Sequence, residues 1–276
     1  MLGKMRIRSP VDSPPILGED SSMSSPLQRL ADSTPAQILI TLVIYGVYAT
    51  VLGLSLAPSV AFVYWTAGSL LGAPVGAEDI LLFALGLGAA VYLYFIAGIL
   101  VQGSIFRLLS LGVGPGRYPL ASPTTLRWLI YSGIYTITST TILPLIPVSF
   151  FSNLYFRIIG CRFGKRVYLN SYMLLDPYLI EIGDDVTIGG QTDVSAHSFE
   201  GNTLILDRIR IGSGSLIGAH CYISPGVTIG TGCVIGLGSF LRRGTTVPDG
   251  AVYTSLAALP IKRMAALEKS ASRRPG

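Results

Sequence analysis

The chain holds two histidines, His197 and His220, and they are its candidates for proton-transfer chemistry. Imidazole titrates near neutrality, so it can take a proton from an alcohol or an amine as a general base. His197 stands in Asp193-Val194-Ser195-Ala196-His197-Ser198-Phe199-Glu200, with a carboxylate on each side. Glu200, or Asp193, is placed to fix its tautomer, and Glu200 is expected to orient it. His220 stands in Ile217-Gly218-Ala219-His220 and reads either as support for His197 and a substrate contact, or as a plain outward residue. Asp176 and Asp193 are expected on the substrate side. They would also have to complete any metal site, but nothing in the spacing asks for one, and no metal is expected. The three cysteines show no CxxC pairing and read as reduced packing residues.

The element that must position these groups shows in a period of six. Ile205, Ile211, Ile217, Ile223, Ile229, Ile235, Leu241, Val247 and Tyr253 form one apolar column. Glycine follows the aliphatic at Gly212, Gly218, Gly230 and Gly236, and a small residue stands two before it at Ser215, Cys221, Cys233, Ser239, Thr245 and Ala251. Six is neither the period of a helix nor the plain alternation of a strand. It predicts short strands with a corner every hexad, wound into a parallel β-helix. The glycines are expected to turn the corners with positive φ. Three hexads make one coil, which stacks Ile205 over Ile223 over Leu241 and Ile217 over Ile235 over Tyr253. An earlier stretch repeats the pattern at Ile182-Gly183, Ile188-Gly189 and Val194. Before it, Phe163-Gly164, Leu169 and Leu175 enter Ile182 with one extra residue.

The phase breaks between Val194 and Ile205. The segment holds either two hexads less one residue, or one hexad with a five-residue outward loop within residues 196–203. The second reading puts Val194 and Ile217 on one face of adjacent coils and sets His197 above or below His220. A loop that interrupts a strict repeat and carries an imidazole reads as a site rather than as scaffold.

The first half of the chain is different in kind. Half of the whole chain is hydrophobic and 13% is charged, about half the usual charge, with a mean hydropathy of +0.58. Residues 33–77, 80–106 and 128–156 carry no charged side chain. Uncharged apolar runs of about 18 residues or more read as membrane spans, which fits residues 38–56 and 80–101. Residues 59–72, after Pro58, are too short for a further span and read as an interfacial or re-entrant piece. Residues 128–151 contain Pro144 and Pro147, which stop or kink a helix. Arg107, Arg117 and Arg127 flank the second run, whereas Glu78 and Asp79 join the first two. That charge bias predicts that the amino terminus, residues 103–127 and the coil all lie on the cytoplasmic side. The third run then dips into the membrane or lies along it.

Residues 9–35, rich in Ser, Pro and Asp, read as disordered and lack the compact apolar core of a signal peptide. The net charge of +5 is accounted for by arginines flanking the membrane. No aromatic and basic stripe points to nucleic acid. The expected organisation is a disordered segment (1–35), a transmembrane helical region (36–102), a membrane-associated linker or re-entrant helix (103–160), the hexapeptide β-helix (161–256) and a basic tail (257–276).

The Ile-Gly hexads, the histidine in a loop interrupting the coil, and Leu259-Pro260-Ile261-Lys262-Arg263 resemble hexapeptide-repeat acyltransferases. The resemblance implies that the parallel β-helix following the transmembrane α-helices is left-handed, and it implies assembly as a homotrimer and acyl-CoA as donor. It makes Arg242, Arg243, Lys262 and Arg263 candidates for the CoA phosphates. The usual Asn-Pro-Ala closing stretch is replaced here by residues 255–260. A narrower likeness covers residues 103–260. Gly114-Pro115-Gly116-Arg117-Tyr118-Pro119-Leu120, Arg127-Trp128, residues 174–184 and His197-Ser198-Phe199-Glu200 resemble the membrane-embedded terminal region of certain nonribosomal peptide synthetases, poly-lysine synthetase among them. That likeness implies amide formation from carrier-bound aminoacyl groups.

The expected function is a membrane-anchored acyltransferase acting on a small amine or hydroxyl acceptor, with His197 as base. The rivals are a condensation enzyme taking phosphopantetheine thioesters from carrier proteins, and a non-catalytic trimeric scaffold at the membrane lipid.

Overall fold

A computed structural model describes residues 34–68 and 76–254 of the chain. They divide into two units. One combines residues 112–125 with the coil from 160 onward; the other combines the helices up to 111 with residues 126–159.

The coil has three faces of short parallel strands. The first face stacks Arg162–Phe163, Ile180–Ile182, Ile209–Ile211, Thr228–Ile229 and Thr246–Val247. The second stacks Tyr168–Leu169, Thr187–Ile188, Leu216–Ile217, Val234–Ile235 and Val252–Tyr253. The third stacks Leu174–Leu175, Asp193–Ser195, Tyr222–Ile223 and Phe240–Leu241. One aliphatic per hexad points inward: Ile211 stacks on Ile229 and then Val247, and Ile217 on Ile235 and then Tyr253. Buried Ile side chains of this kind stabilise by roughly 1.5–3 kcal/mol each.

Small residues stand two before the aliphatic because their side chains bond to the next coil. Ser215 Oγ donates to the Gly230 carbonyl at 2.8 Å and accepts from Cys233 N at 3.1 Å. The glycines have two separate uses. Those directly after the aliphatic lie where coils nearly touch: a Cβ at Gly189 would sit 2.4 Å from Ala219 N. The positive φ falls two residues later, at Gly214, Gly226, Gly232, Gly238, Gly244 and Gly250. The expectation that the first set turns the corners is thus corrected. His220, with φ 55°, occupies the corner position that glycine takes in the following coils.

The register corrects three further expectations. Ile205 is not in the coil column; it lies in the strand Thr203–Leu206, paired antiparallel with Ser198 on one side and Arg117 on the other. Its six-residue spacing from Ile211 arises only because that strand feeds back into the first face. Leu174, fully buried, rather than Leu175, is the inward residue that stacks on Val194. Val194 in turn lies beneath Ile223, not beside Ile217, which stacks on Ile188. The step from Val194 to Ile211 is therefore 17 residues where a hexad needs 6, and the excess of 11 is a hairpin. Its strands His197–Glu200 and Thr203–Leu206 pair with Gly116–Pro119 to make a separate three-stranded sheet.

In the helical unit, α1 runs Thr34–Gly68 and α2 Ala77–Ser110. Both are long and apolar enough to cross a membrane, with mean hydropathies of 2.1 and 2.3 over their best windows. Helix α1 continues through Pro58 to Gly68, so the expected break after Pro58 is absent; residues 69–75 lie outside the described residues, as do 1–33. Helix α3, Pro123–Thr141, is followed by a 3-10 turn at Leu143–Leu145 and by α4, Phe150–Ile158. The proline-bearing third run is broken there, as its sequence implies.

Helix α3 runs antiparallel along the last turns of α2. The Arg127 guanidinium bonds to the Leu109 and Leu111 carbonyls. Phe106 meets Tyr131 edge-on at 5.0 Å. The buried amide of Gln102 accepts from Thr138 Oγ1 and donates to Ser55 Oγ of α1. Gly98 lies under Ile142, and Gly103 under Tyr155 and Ile158 of α4. Thus α3 starts level with the end of α2, ascends to the level of Gly98, and α4 comes back past Gly103.

Candidate active site

Two irregularities of the coil bring the site together. Asp176 follows the inward Leu174 in a step that reaches Ile182 after eight residues rather than six. The chain spends the extra residues on Asp176, in left-handed conformation at φ 56°, and on a 3-10 turn at Pro177–Leu179. Aspartate tolerates this backbone better than most residues, and Arg166, Asp185, Gln191 and His220 adopt it as well. His197 opens the first strand of the hairpin. Its Nδ1 lies 2.6 Å from Asp176 Oδ2. The Asp176 side chain is 1% exposed and that of His197 19%. A buried carboxylate at that distance accepts a hydrogen bond from Nδ1–H and leaves the lone pair on Nε2. Ser195 Oγ donates to the His197 carbonyl at 3.0 Å, and the Phe199 ring stands edge-on to the imidazole at 5.9 Å.

Asp193 points from the third face on the rung below Tyr222. Its Oδ1 is buried with no hydrogen-bond partner. Burial pushes its carboxyl above the usual range, opposed by the nearby His197. Tyr222 stacks in turn on Phe240 at 5.3 Å, so an acid and two aromatics share one outer column.

The carboxylate on His197 is Asp176, not Glu200, which corrects the expected orienting partner. Glu200 stands at the far end of the hairpin strand, with Oε2 3.2 Å from Arg117 and Oε1 2.5 Å from Arg243. Arg243 therefore meets a carboxylate of its own chain. Arg242 is exposed on the same corner, and Lys262, Arg263 and the closing stretch 255–260 lie outside the described residues. His220 does not align with His197. It occupies the corner entering the third face, its N–H bonded to the Gly190 carbonyl at 3.0 Å, whereas His197 lies past the end of that face. Among the described residues no cluster of three or more metal-ligating side chains is found. An open groove of about 520 Å³ runs along the first face over Arg162, Glu181, Arg210 and Asp249; none of the sequence-predicted site residues lines it. Cys161, Cys221 and Cys233 are buried thiols, and among the described residues none forms a disulfide.

The role of Asp176 beside the histidine was missed by sequence reasoning. The available signal was the extra residue between Leu175 and Ile182, a break in the repeat as real as the one at His197.

Comparison with known proteins places part of this architecture. Residues 208–243 match the family model described as bacterial transferase hexapeptide (six repeats), and hexapeptide repeats of that type imply the left-handed form of the coil. Delta-poly-L-ornithine synthetase of Acinetobacter baumannii (strain AB307-0294) is 30% identical over 175 residues, or 61% of this chain. The chain spans 12% of that relative's length. Among solved structures, a hexapeptide-repeat acetyltransferase of Vibrio cholerae complexed with acetyl coenzyme A is 27% identical, with 37% of this chain and 59% of that chain covered and a TM-score of 0.34. A maltose O-acetyltransferase of Clostridium difficile 630 is 18% identical, with 56% and 93% covered and a TM-score of 0.42.

Proposed function

We propose that the chain is a membrane-anchored acyltransferase that moves an acyl group from a thioester to an amine or hydroxyl, with His197 as general base. The observation that carries this is the 2.6 Å contact between His197 Nδ1 and Asp176 Oδ2. With Nδ1–H held by Asp176, Nε2 takes the acceptor proton as the acceptor attacks the thioester carbonyl. The tetrahedral oxyanion is met by backbone N–H groups. Its collapse releases the thiolate, which takes the proton back from the imidazolium. Asp193, with its unpaired oxygen beside His197, is assigned to the acceptor. Acyl-CoA is the proposed donor, with Arg242, Arg243, Lys262 and Arg263 toward its phosphates; the hexapeptide transferase match at residues 208–243 supports that choice.

Membrane anchoring is supported by the apolar exposed surfaces of α1 and α2, which present Ile38, Leu42, Leu81 and Leu85 outward. The α3–α4 pair supports a re-entrant reading: it ascends along α2 to Gly98, about 18 Å from the end of that helix at 1.5 Å per residue, and turns back. A hairpin of that kind keeps residues 112–125 and the coil on one side, the cytoplasmic one by the charge bias. A homotrimer is proposed on the hexapeptide likeness alone.

A second reading has one observation in its favour. The match to Delta-poly-L-ornithine synthetase supports amide formation from aminoacyl groups on carrier-protein phosphopantetheine. The deciding experiment assays the full chain in detergent with acetyl-CoA and, separately, with an aminoacyl carrier-protein thioester, each against the His197→Ala variant. Turnover of acetyl-CoA that requires His197 supports the first reading, and turnover of the carrier thioester alone supports the second. Turnover of either donor that survives His197→Ala removes His197 as base.

A further inference from the structure

We propose that Glu200, bridged to Arg117 and Arg243, is a positioning clamp that fixes the hairpin and through it the imidazole of His197; the inference rests on His197 being the base. The hairpin is one of the two departures from the regular coil that bring the site together, and its sheet is separate from the three faces. At its near end it is tied by backbone bonds from Asp207 N to the Ala196 carbonyl and from Ala196 N to the Leu175 carbonyl. At its far end the Glu200 carboxylate receives Arg117 from a strand 83 residues earlier and Arg243 from a coil corner 43 residues later. The turn is held besides by Leu120 N on the Asn202 carbonyl at 3.1 Å.

His197 and Glu200 share one strand, about 10 Å apart at roughly 3.4 Å per residue. Pairing the strand with Thr203–Leu206 makes it stiff, so a tilt at one end displaces the other. Base catalysis does not tolerate displacements of about an ångström. The three side chains are roughly 40–50% exposed, so screening leaves the clamp little weight in global stability. Its effect falls instead on the local order of the hairpin. Two pairs from different parts of the chain meeting on one carboxylate fix direction, which a single pair does not.

The chain has two histidines, so 15N-histidine labelling of the full chain in detergent gives two imidazole systems, and His220→Gln assigns them. In the wild type His197 is expected as one fixed tautomer, protonated at Nδ1. Glu200→Gln, Arg117→Met and Arg243→Met should each shift the His197 ring nitrogens toward tautomer averaging. The two arginine variants should be non-additive with Glu200→Gln. Amide exchange across residues 197–206 should accelerate about 2- to 30-fold, the range that two exposed pairs allow. Asp185→Asn, which breaks the exposed Arg166 pair at a coil corner, should change neither signal. An unchanged His197 spectrum and unchanged hairpin exchange in Glu200→Gln would overturn the clamp, as would an equal change in Asp185→Asn. Neither readout uses a substrate. A chain that transfers no acyl group but responds as described keeps the clamp and loses the catalytic reading; the converse result keeps the reading and loses the clamp.

Discussion

Asp176 and His197, 21 residues apart in sequence, meet at 2.6 Å because each stands at a departure from the hexad. On the regular coil the outward charges that meet, such as Arg166 with Asp185 and Arg210 with Glu181, are exposed pairs, whereas Asp176 is buried. Eight residues in place of six carry Asp176 round a left-handed turn, and the 11-residue insertion 196–206 carries His197. The contact holds the imidazole in one tautomer, with Nε2 left to serve the proposed base role.

From that contact, His197→Ala should lower kcat on the order of 10²- to 10⁴-fold, the usual weight of a general base, with an unchanged circular dichroism spectrum. Asp176→Asn keeps the shape and inverts the hydrogen bond, since an amide NH₂ favours the wrong imidazole tautomer. Its kcat should fall on the order of 10²-fold or more, with KM nearly unchanged. A variant with full kcat at either position would refute the assignment.

Asp193 gives a prediction with a definite sign. Burial raises its carboxyl above the ordinary value, so its charged form is disfavoured in the folded state. The stabilisation that goes with a raised carboxyl is complete below the unfolded value and is lost as pH rises through the folded one. At neutral pH the folded protein holds a penalised charge and an orphaned oxygen. Asp193→Asn should therefore raise the melting temperature near pH 7, and the gain should shrink on moving to pH 4. Thermal melts at the two pH values check this; a lower melting temperature at pH 7 would mean that the charge is compensated in the native state.

The coil was legible from Ile211 onward because one inward aliphatic per corner is a strict geometric demand. Ile205 passed the same test for an unrelated reason, the length of the returning hairpin strand, and it shifted the register of the break. Counted from Ile205, the loop reading of the break puts Val194 beside Ile217 and His197 in line with His220, whereas the chain stacks Val194 under Ile223. His220 itself stands at a corner where glycine serves in later coils, a backbone role that spacing alone does not reveal. Asp176 was visible only as a carboxylate near an irregular step. Which histidine it meets depends on the offset of Leu174 against Val194, a packing choice made in three dimensions. Glu200 looked like the partner because sequence proximity was the only distance available.

Close approach of successive coils makes a second kind of site unforgiving. A Cβ at Gly189 would lie 2.4 Å from Ala219 N and 2.7 Å from the Gly218 carbonyl carbon, both backbone atoms that cannot step aside. Gly189→Ala should destabilise the coil by about 1–3 kcal/mol, the typical cost of overpacking. Ile229→Asp, 1% exposed between Ile211 and Val247, places an unpaired carboxylate in the core and should abolish folding of the coil. Urea titrations followed by circular dichroism rank the two, and equal midpoints for both variants and wild type would contradict the register.

The hairpin offers the sharpest test of the architecture. Removing residues 196–206 joins Ser195 to Asp207 and sets Val194 six residues before Ile211, which restores the hexad. The corner position three residues after Val194 then falls on Arg208, where the later coils use glycine with positive φ. Arg208→Gly is accordingly the companion change, since glycine adopts that conformation without the β-carbon penalty. The shortened chain should keep the β-helix dichroism and a cooperative melt, because none of the three faces takes a strand from the hairpin. It should transfer no acyl group, because His197 is gone, and the strand Gly116–Pro119 should lose its exchange protection along with its partner. Loss of the coil's own cooperative melt would mean that the buried Leu204, Ile205 and Leu206 belong to its core rather than to an insertion resting on it. Retained transfer would place the chemistry outside the hairpin altogether.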